Sequence, residues 1–235
     1  MRKIQLKQVL RNKRFVLFTI ILPIGWYIFF YHLQKGVSPS ILLGIAVFIG
    51  VIGNSLATFS KRIASDIGFY SFESHFTSYS VKNYLWDQSI VQLIMNSLIF
   101  LAVLVVAVLG FHFPVTTSLL VQFFLLSLMG IYFSVIGFVL GVRVDAKTID
   151  TIGFPVIILA AMTIIPFDTL GASGGFMDLV GKLQRVFPGY YYTKLIQDLT
   201  EKQTIDATQL ALFVAVFGVN LLFFYLLVPK GKMGN

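Results

Sequence analysis

The sequence predicts an all-α integral membrane protein, and three observations support this fold class. Hydrophobic residues make up 57% of the 235-residue chain, whereas charged residues make up only 12%. In a soluble domain roughly a quarter of all residues are charged, so this chain has too few charged residues to cover a water-facing surface. Several uncharged stretches also have the length of a membrane-spanning helix, roughly 20 residues. These stretches are residues 15–34, 36–60, 88–142, 151–167 and 207–229.

Six transmembrane helices follow from the uncharged stretches. A charged side chain at mid-membrane costs roughly 2.5–3.5 kcal/mol, so a span is expected to lack charge. The stretch of residues 88–142 is too long for one helix, and Pro114 divides it into two. The predicted spans are residues 15–33, 40–60, 89–109, 117–141, 151–167 and 207–228. Together they predict a single membrane domain that covers residues 1–235.

The distribution of basic residues predicts the orientation of these spans. With the N-terminus in the cytoplasm, 13 of the 18 Lys and Arg residues fall on cytoplasmic segments and five on external ones. This bias obeys the positive-inside rule, so we expect both termini in the cytoplasm. The net charge of +8 in so apolar a chain indicates membrane topology rather than binding to nucleic acid.

The first 14 residues carry six basic side chains and no acidic one. On a helix, Leu6, Val9 and Leu10 share one face, whereas Lys3 and Lys7 lie on another. This pattern predicts a helix over residues 1–14 that lies in the cytoplasmic interface and is attracted to anionic lipid. The alternative is a basic tail that only sets the topology.

A cytoplasmic segment, residues 61–88, joins the second and third spans. It is much longer than an ordinary connection, and it mixes charged side chains with aromatic ones such as Phe69, Phe72 and Trp86. Aromatic residues in a charged, water-side segment indicate that it docks on the bilayer interface or on a protein partner.

The fourth span carries small residues at alternating spacings of three and four, which places them on one helix face. Small residues allow helix backbones to approach closely in a membrane. Packing within the chain is one interpretation of this face, and a dimer or moving interface is the other. The residues are Ser127, Gly130, Ser134, Gly137 and Gly141.

The spans contain no acidic or basic side chain, although ion-coupled transporters usually carry such groups there. Their polar residues are neutral, and Gln92 and Asn96 share one helix face because they are four residues apart. Such residues either form hydrogen bonds between helices or line a polar pathway. The pathway candidates are Asn54, Gln92, Asn96 and Asn220, with Ser55 and Gln122 as further neutral residues.

Between the fifth and sixth spans, residues 168–206 keep an apolar stripe at helical spacing despite their charges. Pro188 and Gly189 interrupt the stripe, which predicts two amphipathic helices in an external re-entrant hairpin. We expect this hairpin to form an external gate through Phe187, Pro188, Gly189, Tyr190 and Tyr191.

Catalytic and metal-binding motifs are missing from the sequence. No GxxxxGK[ST] phosphate loop occurs, so the chain cannot hydrolyse ATP by that route. Residues 171–175 match GxSxG, but they follow a span rather than a strand, which excludes a nucleophile elbow. The chain has no cysteine, and His32, His75 and His112 are scattered. The sequence therefore predicts no catalytic residue and no metal ligand.

In organisation, the sequence resembles the permease subunits of ABC exporters of the second type (the ABC type-2 permease family). Residues 66–70 (Asp-Ile-Gly-Phe-Tyr) resemble the acidic-then-glycine stretch of the family's coupling segment. Residues 80–84 (Ser-Val-Lys-Asn-Tyr) resemble the stretch that leads into the third span. In the hairpin, residues 186–191 (Val-Phe-Pro-Gly-Tyr-Tyr) resemble the family's Leu-x-Pro-x-Tyr turn.

This resemblance implies that the chain is the membrane-spanning subunit of an ATP-driven exporter in a bacterial plasma membrane. Two separate ABC ATPase subunits would hold ATP and Mg, so the chain itself would have no cofactor and would not be an enzyme. The pathway would form with a second copy or a sister permease, surrounded by membrane lipid. Contact with the ATPase would involve Asp66, Gly68, Phe69, Tyr70, Phe72 and Glu73.

The substrate expected from the resemblance is a drug, an antimicrobial or toxic peptide, or a lipid-like molecule. Two other classes stay open at this point. One is a membrane protein without transport function, of the immunity or membrane-enzyme type. The other is an ATP-independent transporter, for which the sequence offers neither internal inverted repeats nor ionisable groups in the spans.

Overall fold

A computed structural model describes residues 11, 17–33, 36–73, 81–165, 167, 174–201 and 204–227. Throughout these residues the regular secondary structure is helical, and no strand occurs among them. The prediction of an all-α protein is therefore confirmed for the described part. The predicted interfacial helix of residues 1–14 lies outside the described residues, apart from Arg11.

Within the described residues, nine α-helices and two π-helical segments follow one another. The first π-helical segment, Leu17–Ile21, leads directly into α1, and the second, Asn54–Phe59, joins α2 to α3 without a break. The α-helices are α1 (Leu22–Leu33), α2 (Pro39–Gly53), α3 (Ser60–Glu73), α4 (Val81–Phe111), α5 (Ser118–Arg143), α6 (Ala146–Met162), α7 (Gly175–Gln184), α8 (Pro188–Glu201) and α9 (Ala207–Leu226).

Four helical stretches of the described part are long and apolar enough to cross a membrane. They are Pro39–Phe69, Trp86–Phe111, Ser118–Arg143 and Ala207–Leu226, and they coincide with the predicted second, third, fourth and sixth spans. The apolar stretch Thr19–Leu33 is shorter, and α6 has 17 residues. The architecture is compatible with a membrane protein.

The helix of the second predicted span does not end at residue 60. No proline or isolated turn interrupts the chain there, so α2, the π-helical segment and α3 form one continuous helix up to Glu73. The first half of the predicted coupling segment is thus a helical extension of a helix that belongs to the core.

The helix of the fifth predicted span begins earlier than residue 151. Asp145 is its N-cap, because the Asp145 carboxylate accepts hydrogen bonds from the backbone amides of Lys147 and Thr148, each over 3.0 Å. Such a cap satisfies amides that have no partner within the helix, and it fixes the start of α6 at Ala146.

The continuous helix α2 lies at the centre of the bundle, since almost every residue of it is buried. Its Phe48 ring packs against the rings of Tyr192 and Phe133, with centroids 4.6 and 6.4 Å away. In contrast, Phe213 is the one fully buried residue of α9, and most of its other apolar side chains are exposed or only partly buried against the core. The core is therefore built around α2, and α9 lies at its edge.

Candidate functional site

Five polar side chains meet inside the apolar helix bundle, and we refer to them as the polar cluster. Asn54 and Ser55 come from the π-helical segment, Gln92 and Asn96 from α4, and Ser134 from α5. The first four are buried, with at most 6% of the side chain exposed, and Ser134 is half-buried. Three separate helices thus direct neutral polar groups to one place.

Hydrogen bonds connect all five members of the polar cluster. The Gln92 amide donates to Ser55 Oγ over 3.1 Å and to Asn96 Oδ1 over 3.3 Å. The Asn54 amide donates to the same Asn96 oxygen over 3.4 Å. Asn96 Nδ2 and Ser55 Oγ each lie 3.5 Å from Ser134 Oγ. All but the first exceed the usual 2.7–3.2 Å, so the cluster is connected but loosely held.

Glycines of α5 allow the three helices to come this close. At Gly130, an added Cβ atom would lie 2.7 Å from Asn96 Nδ2, and at Gly137 it would overlap the backbone carbonyl of Ser55. At Gly141 it would lie 2.5 Å from the Ser60 carbonyl oxygen. The predicted small-residue face therefore packs within this chain, against the π-helical segment, α3 and α4. Its two serines bond to their own helix, Ser127 to the Phe123 carbonyl and Ser134 to the Gly130 carbonyl.

The π-helical segment itself is a distinctive element, because π-helical turns are rare and concentrate at functional sites. It places Asn54 and Ser55 side by side on the inner face of the long central helix. Asn54 Oδ1 is buried, and no hydrogen-bond partner lies within reach of it among the described residues. The cluster therefore retains one acceptor that the described part of the protein does not satisfy.

Arg62 lies at the α3 end of the polar cluster. Its Nη2 donates to Gln92 Oε1 over 3.5 Å, and its guanidinium lies 5.7 Å from the centre of the Phe59 ring. Its Nε and Nη1 are buried, and the described residues offer them no hydrogen-bond acceptor. One turn further, Asp66 accepts a hydrogen bond from buried Tyr84 over 3.1 Å. A partly buried cation thus adjoins an otherwise neutral cluster.

Of the four residues predicted to line a polar pathway, three come together and one does not. Asn54, Gln92 and Asn96 belong to the polar cluster, whereas Asn220 lies elsewhere on α9. Asn220 accepts a hydrogen bond from Tyr132 over 3.3 Å and donates to the Val186 carbonyl over 3.0 Å. It therefore ties α9 to α5 and to the turn between α7 and α8.

Sequence reasoning missed the part that Arg62 and Ser134 play in the polar cluster. Arg62 falls in the segment of residues 61–88, which the sequence predicts to lie in the cytoplasm because charged residues mark the ends of spans. The available signal was its position seven residues after Ser55, which places both on one helix face. Ser134 was predicted only as a packing residue.

The residues predicted for coupling all lie on α3, and their side chains differ in exposure. The Phe69 and Phe72 side chains are 62% and 67% exposed. Open space surrounds Gly68, and the Asp66 carboxylate is partly buried beneath Tyr84. The side chains of Tyr70 and Glu73 lie outside the described part. An ion pair between Lys61 and Asp150 connects α3 to α6.

The residues predicted for the external gate lie where the hairpin meets the bundle. Pro188 and Gly189 are buried, and an added Cβ at Gly189 would lie 2.5 Å from Ile164 Cγ1. Phe187, Tyr190 and Tyr191 are half-buried. The next residue, Tyr192, is buried in the core, and its hydroxyl accepts a hydrogen bond from Gln122 over 3.5 Å. The start of α8 is thus anchored in the bundle through Gly189 and Tyr192.

Metal-binding geometry is absent from the described residues, where no three His, Asp or Glu side chains lie together. Comparison with known proteins adds no relative, because no protein-family model, no curated protein and no solved structure matches this chain. The resemblance to permease subunits accordingly stays a prediction from the sequence.

Proposed function

We propose that this chain is the membrane-spanning subunit of an ATP-driven exporter of the ABC type. The observation that carries this proposal is the polar cluster, which lies inside an apolar bundle and is connected by long hydrogen bonds. Buried polar groups cost free energy unless they are paired, so a loosely paired cluster is an unfavourable choice for a purely structural core. A pathway for a polar or amphiphilic substrate needs such exchangeable hydrogen-bonding groups.

The continuous helix from Pro39 to Glu73 supplies a mechanical connection to this cluster. Its α3 end exposes Phe69 and Phe72, which suit a docking surface for an ATPase subunit because aromatic anchors dominate many interfaces. Its middle carries Asn54 and Ser55. A tilt of α3 that follows closure of two ATPase subunits would therefore move the polar cluster directly.

The full topology that we propose has six spans in a bacterial plasma membrane, with α3 in the cytoplasm. The first span would combine Leu17–Ile21 with α1, and the fifth would be α6, whose 17 residues are near the lower limit for crossing a bilayer. The hairpin of α7 and α8 would be the external gate, and a second copy or a sister permease would complete the pathway.

The experiment that tests this function is co-expression of the chain with candidate ABC ATPase subunits from the same organism. We expect a stable complex that hydrolyses ATP, whereas the purified chain alone hydrolyses none because it lacks a phosphate loop. In vesicles, Gln92→Leu should lower ATP-dependent transport while the complex still forms. The control is Ser97→Ala, since the Ser97 hydroxyl donates to the Leu93 carbonyl of its own helix. ATP hydrolysis by the isolated chain, or transport without an ATPase subunit, would refute the proposal.

A further inference from the structure

An apolar cavity of about 470 Å³ lies between α5, α6, α7 and α9, and Leu56 of the π-helical segment also lines it. Tyr132 of α5 forms its floor, Val156 and Ala160 of α6 form one wall, and Phe224 of α9 forms the other. Leu183 of α7 lines its edge. Ligand pockets in proteins commonly measure roughly 300–1,000 Å³, so this cavity is large enough for a ligand.

The polar side chains that line the cavity already have partners in the protein. The Gln184 amide donates to the carbonyls of Met162 and Ile165, over 2.6 and 2.8 Å. The Thr163 hydroxyl donates to the Ala160 carbonyl, and the Tyr132 hydroxyl donates to Asn220. An occupant would therefore find hydrocarbon on all sides and no free donor from these groups. This chemistry selects an apolar chain rather than a polar solute.

The cavity is open at its side. Leu159 of α6 and Leu179 and Leu183 of α7 line it and are each more than 60% exposed. Because α9, which also lines the cavity, is long and apolar enough to cross a membrane, the opening between α6 and α7 would face lipid hydrocarbon. The hydrocarbon of a neighbouring lipid thus has direct access.

The rim above the cavity is basic. Lys182 and Asp178 are exposed on α7, and Arg185 is exposed at its C-terminal end. Arg185 and Lys194 approach the same ring, that of Tyr190, at 5.8 and 5.9 Å from its centre. Three cations therefore lie on α7, at its C-terminal end and on α8. Their positive charge complements an anionic headgroup.

We propose that the cavity binds one acyl chain of an anionic membrane lipid, whose headgroup lies at Lys182, Arg185 and Lys194. The apolar lining accepts the chain, the lateral opening admits it, and the basic rim selects the headgroup. This proposal rests on the chain residing in a membrane and not on ATP-driven export, so either one can fail without the other.

The test uses the full chain in phospholipid vesicles that contain phosphatidylglycerol with a photoreactive diazirine in its acyl chain. Phosphatidylcholine with the same chain serves as the neutral comparison. After irradiation and digestion, mass spectrometry should find adducts on residues 156–163 and 179–187, several-fold more with phosphatidylglycerol. Replacing both Lys182 and Arg185 with Gln should reduce this excess.

Variants that fill the cavity provide a second test in the same labelling experiment. Ala160→Phe should lower labelling of these peptides by about tenfold, because the added ring occupies the space of the chain. Ala215→Phe is the matched control, since Ala215 is exposed on α9 and does not line the cavity. Leu183→Trp is a second filling variant, at an exposed position that tolerates a larger side chain.

Equal labelling of the filled and control variants would show ordinary contact with bulk lipid and would overturn the proposal. Absence of adducts on both peptides would overturn it as well. Equal labelling by the two lipids would refute the selection of an anionic headgroup. A second copy of the chain in the cavity would also refute lipid binding, and it would show as a disulfide-linked dimer of Leu159→Cys in this cysteine-free chain.

Discussion

The side-chain amide of Gln92 lies 3.1 Å from the hydroxyl oxygen of Ser55, and this hydrogen bond connects α4 to the π-helical segment of the central helix. It is the shortest bond of the polar cluster. Both side chains are fully buried, so neither has water as an alternative partner. The pair is therefore the contact on which the cluster depends most.

Replacing Gln92 with Leu should lower the free energy of unfolding by about 1–3 kcal/mol, because Ser55 and Arg62 each lose a partner in a buried place. Titration of detergent micelles with a denaturing surfactant, followed by circular dichroism, measures this difference. Ser97→Ala should change it by less than about 0.5 kcal/mol. A Gln92→Leu variant as stable as the wild type would show that the cluster contributes nothing to the fold.

Replacing Gly137 with Ala should destabilise the protein by about 1–3 kcal/mol or more, because the new Cβ atom overlaps the Ser55 backbone carbonyl and forces α5 away. Gly218→Ala is the control, since open space surrounds Gly218 on α9. That change should be neutral or stabilise the helix by up to roughly 1 kcal/mol. Thermal unfolding in micelles compares the two, and equal midpoints would contradict close packing at Gly137.

Replacing both Phe69 and Phe72 with Ala should weaken binding of the ATPase subunit by about 2 kcal/mol or more, roughly thirtyfold, if α3 is the docking helix. The measurement is the dissociation constant of the purified complex. Stability should change by less than about 1 kcal/mol because both rings are mostly exposed. The matched control is Phe154→Ala, an equally exposed ring on α6. An unchanged dissociation constant for the double variant would remove α3 as the docking element.

The N-cap of α6 should respond to acid. The Thr148 hydroxyl, with the Thr148 backbone amide, holds the pKa of the Asp145 carboxyl below its usual value. A lowered folded-state pKa stabilises the protein above the usual pKa, roughly pH 4, and this contribution is lost as the pH falls through the folded pKa. The melting temperature of the wild type should therefore exceed that of Asp145→Ala at pH 7, and the difference should shrink toward pH 3. A difference that does not depend on pH would contradict a charged cap.

Single cysteines should report the predicted topology, because the chain contains none of its own. Lys182→Cys on the predicted external hairpin should react with a membrane-impermeant thiol reagent in intact cells, whereas Lys147→Cys at the predicted cytoplasmic side should react only after lysis. Both positions are exposed, and Met129→Cys serves as the buried control. Reaction of Lys147→Cys in intact cells would reverse the orientation.

The sequence by itself determined the helical class and the positions of four long apolar helices. Absence of charge is a local property, and a single run of such residues can pair its backbone groups within itself only as a helix. It also determined that Gln92 and Asn96 share one face, because helix periodicity fixes that relationship without any tertiary contact.

Only the tertiary structure decided which polar residues meet. Asn54, Ser55 and Ser134 join Gln92 and Asn96, whereas Asn220 bonds to Tyr132 and Val186 instead. It also decided that Arg62 lies partly buried at the end of the cluster and that α5, α6, α7 and α9 enclose a cavity. These features depend on how helices distant in sequence pack. Helix periodicity fixes the face on which a residue lies, but the residue's partner depends on the rotation and spacing of the neighbouring helix, which small residues such as Gly137 set through close backbone contact.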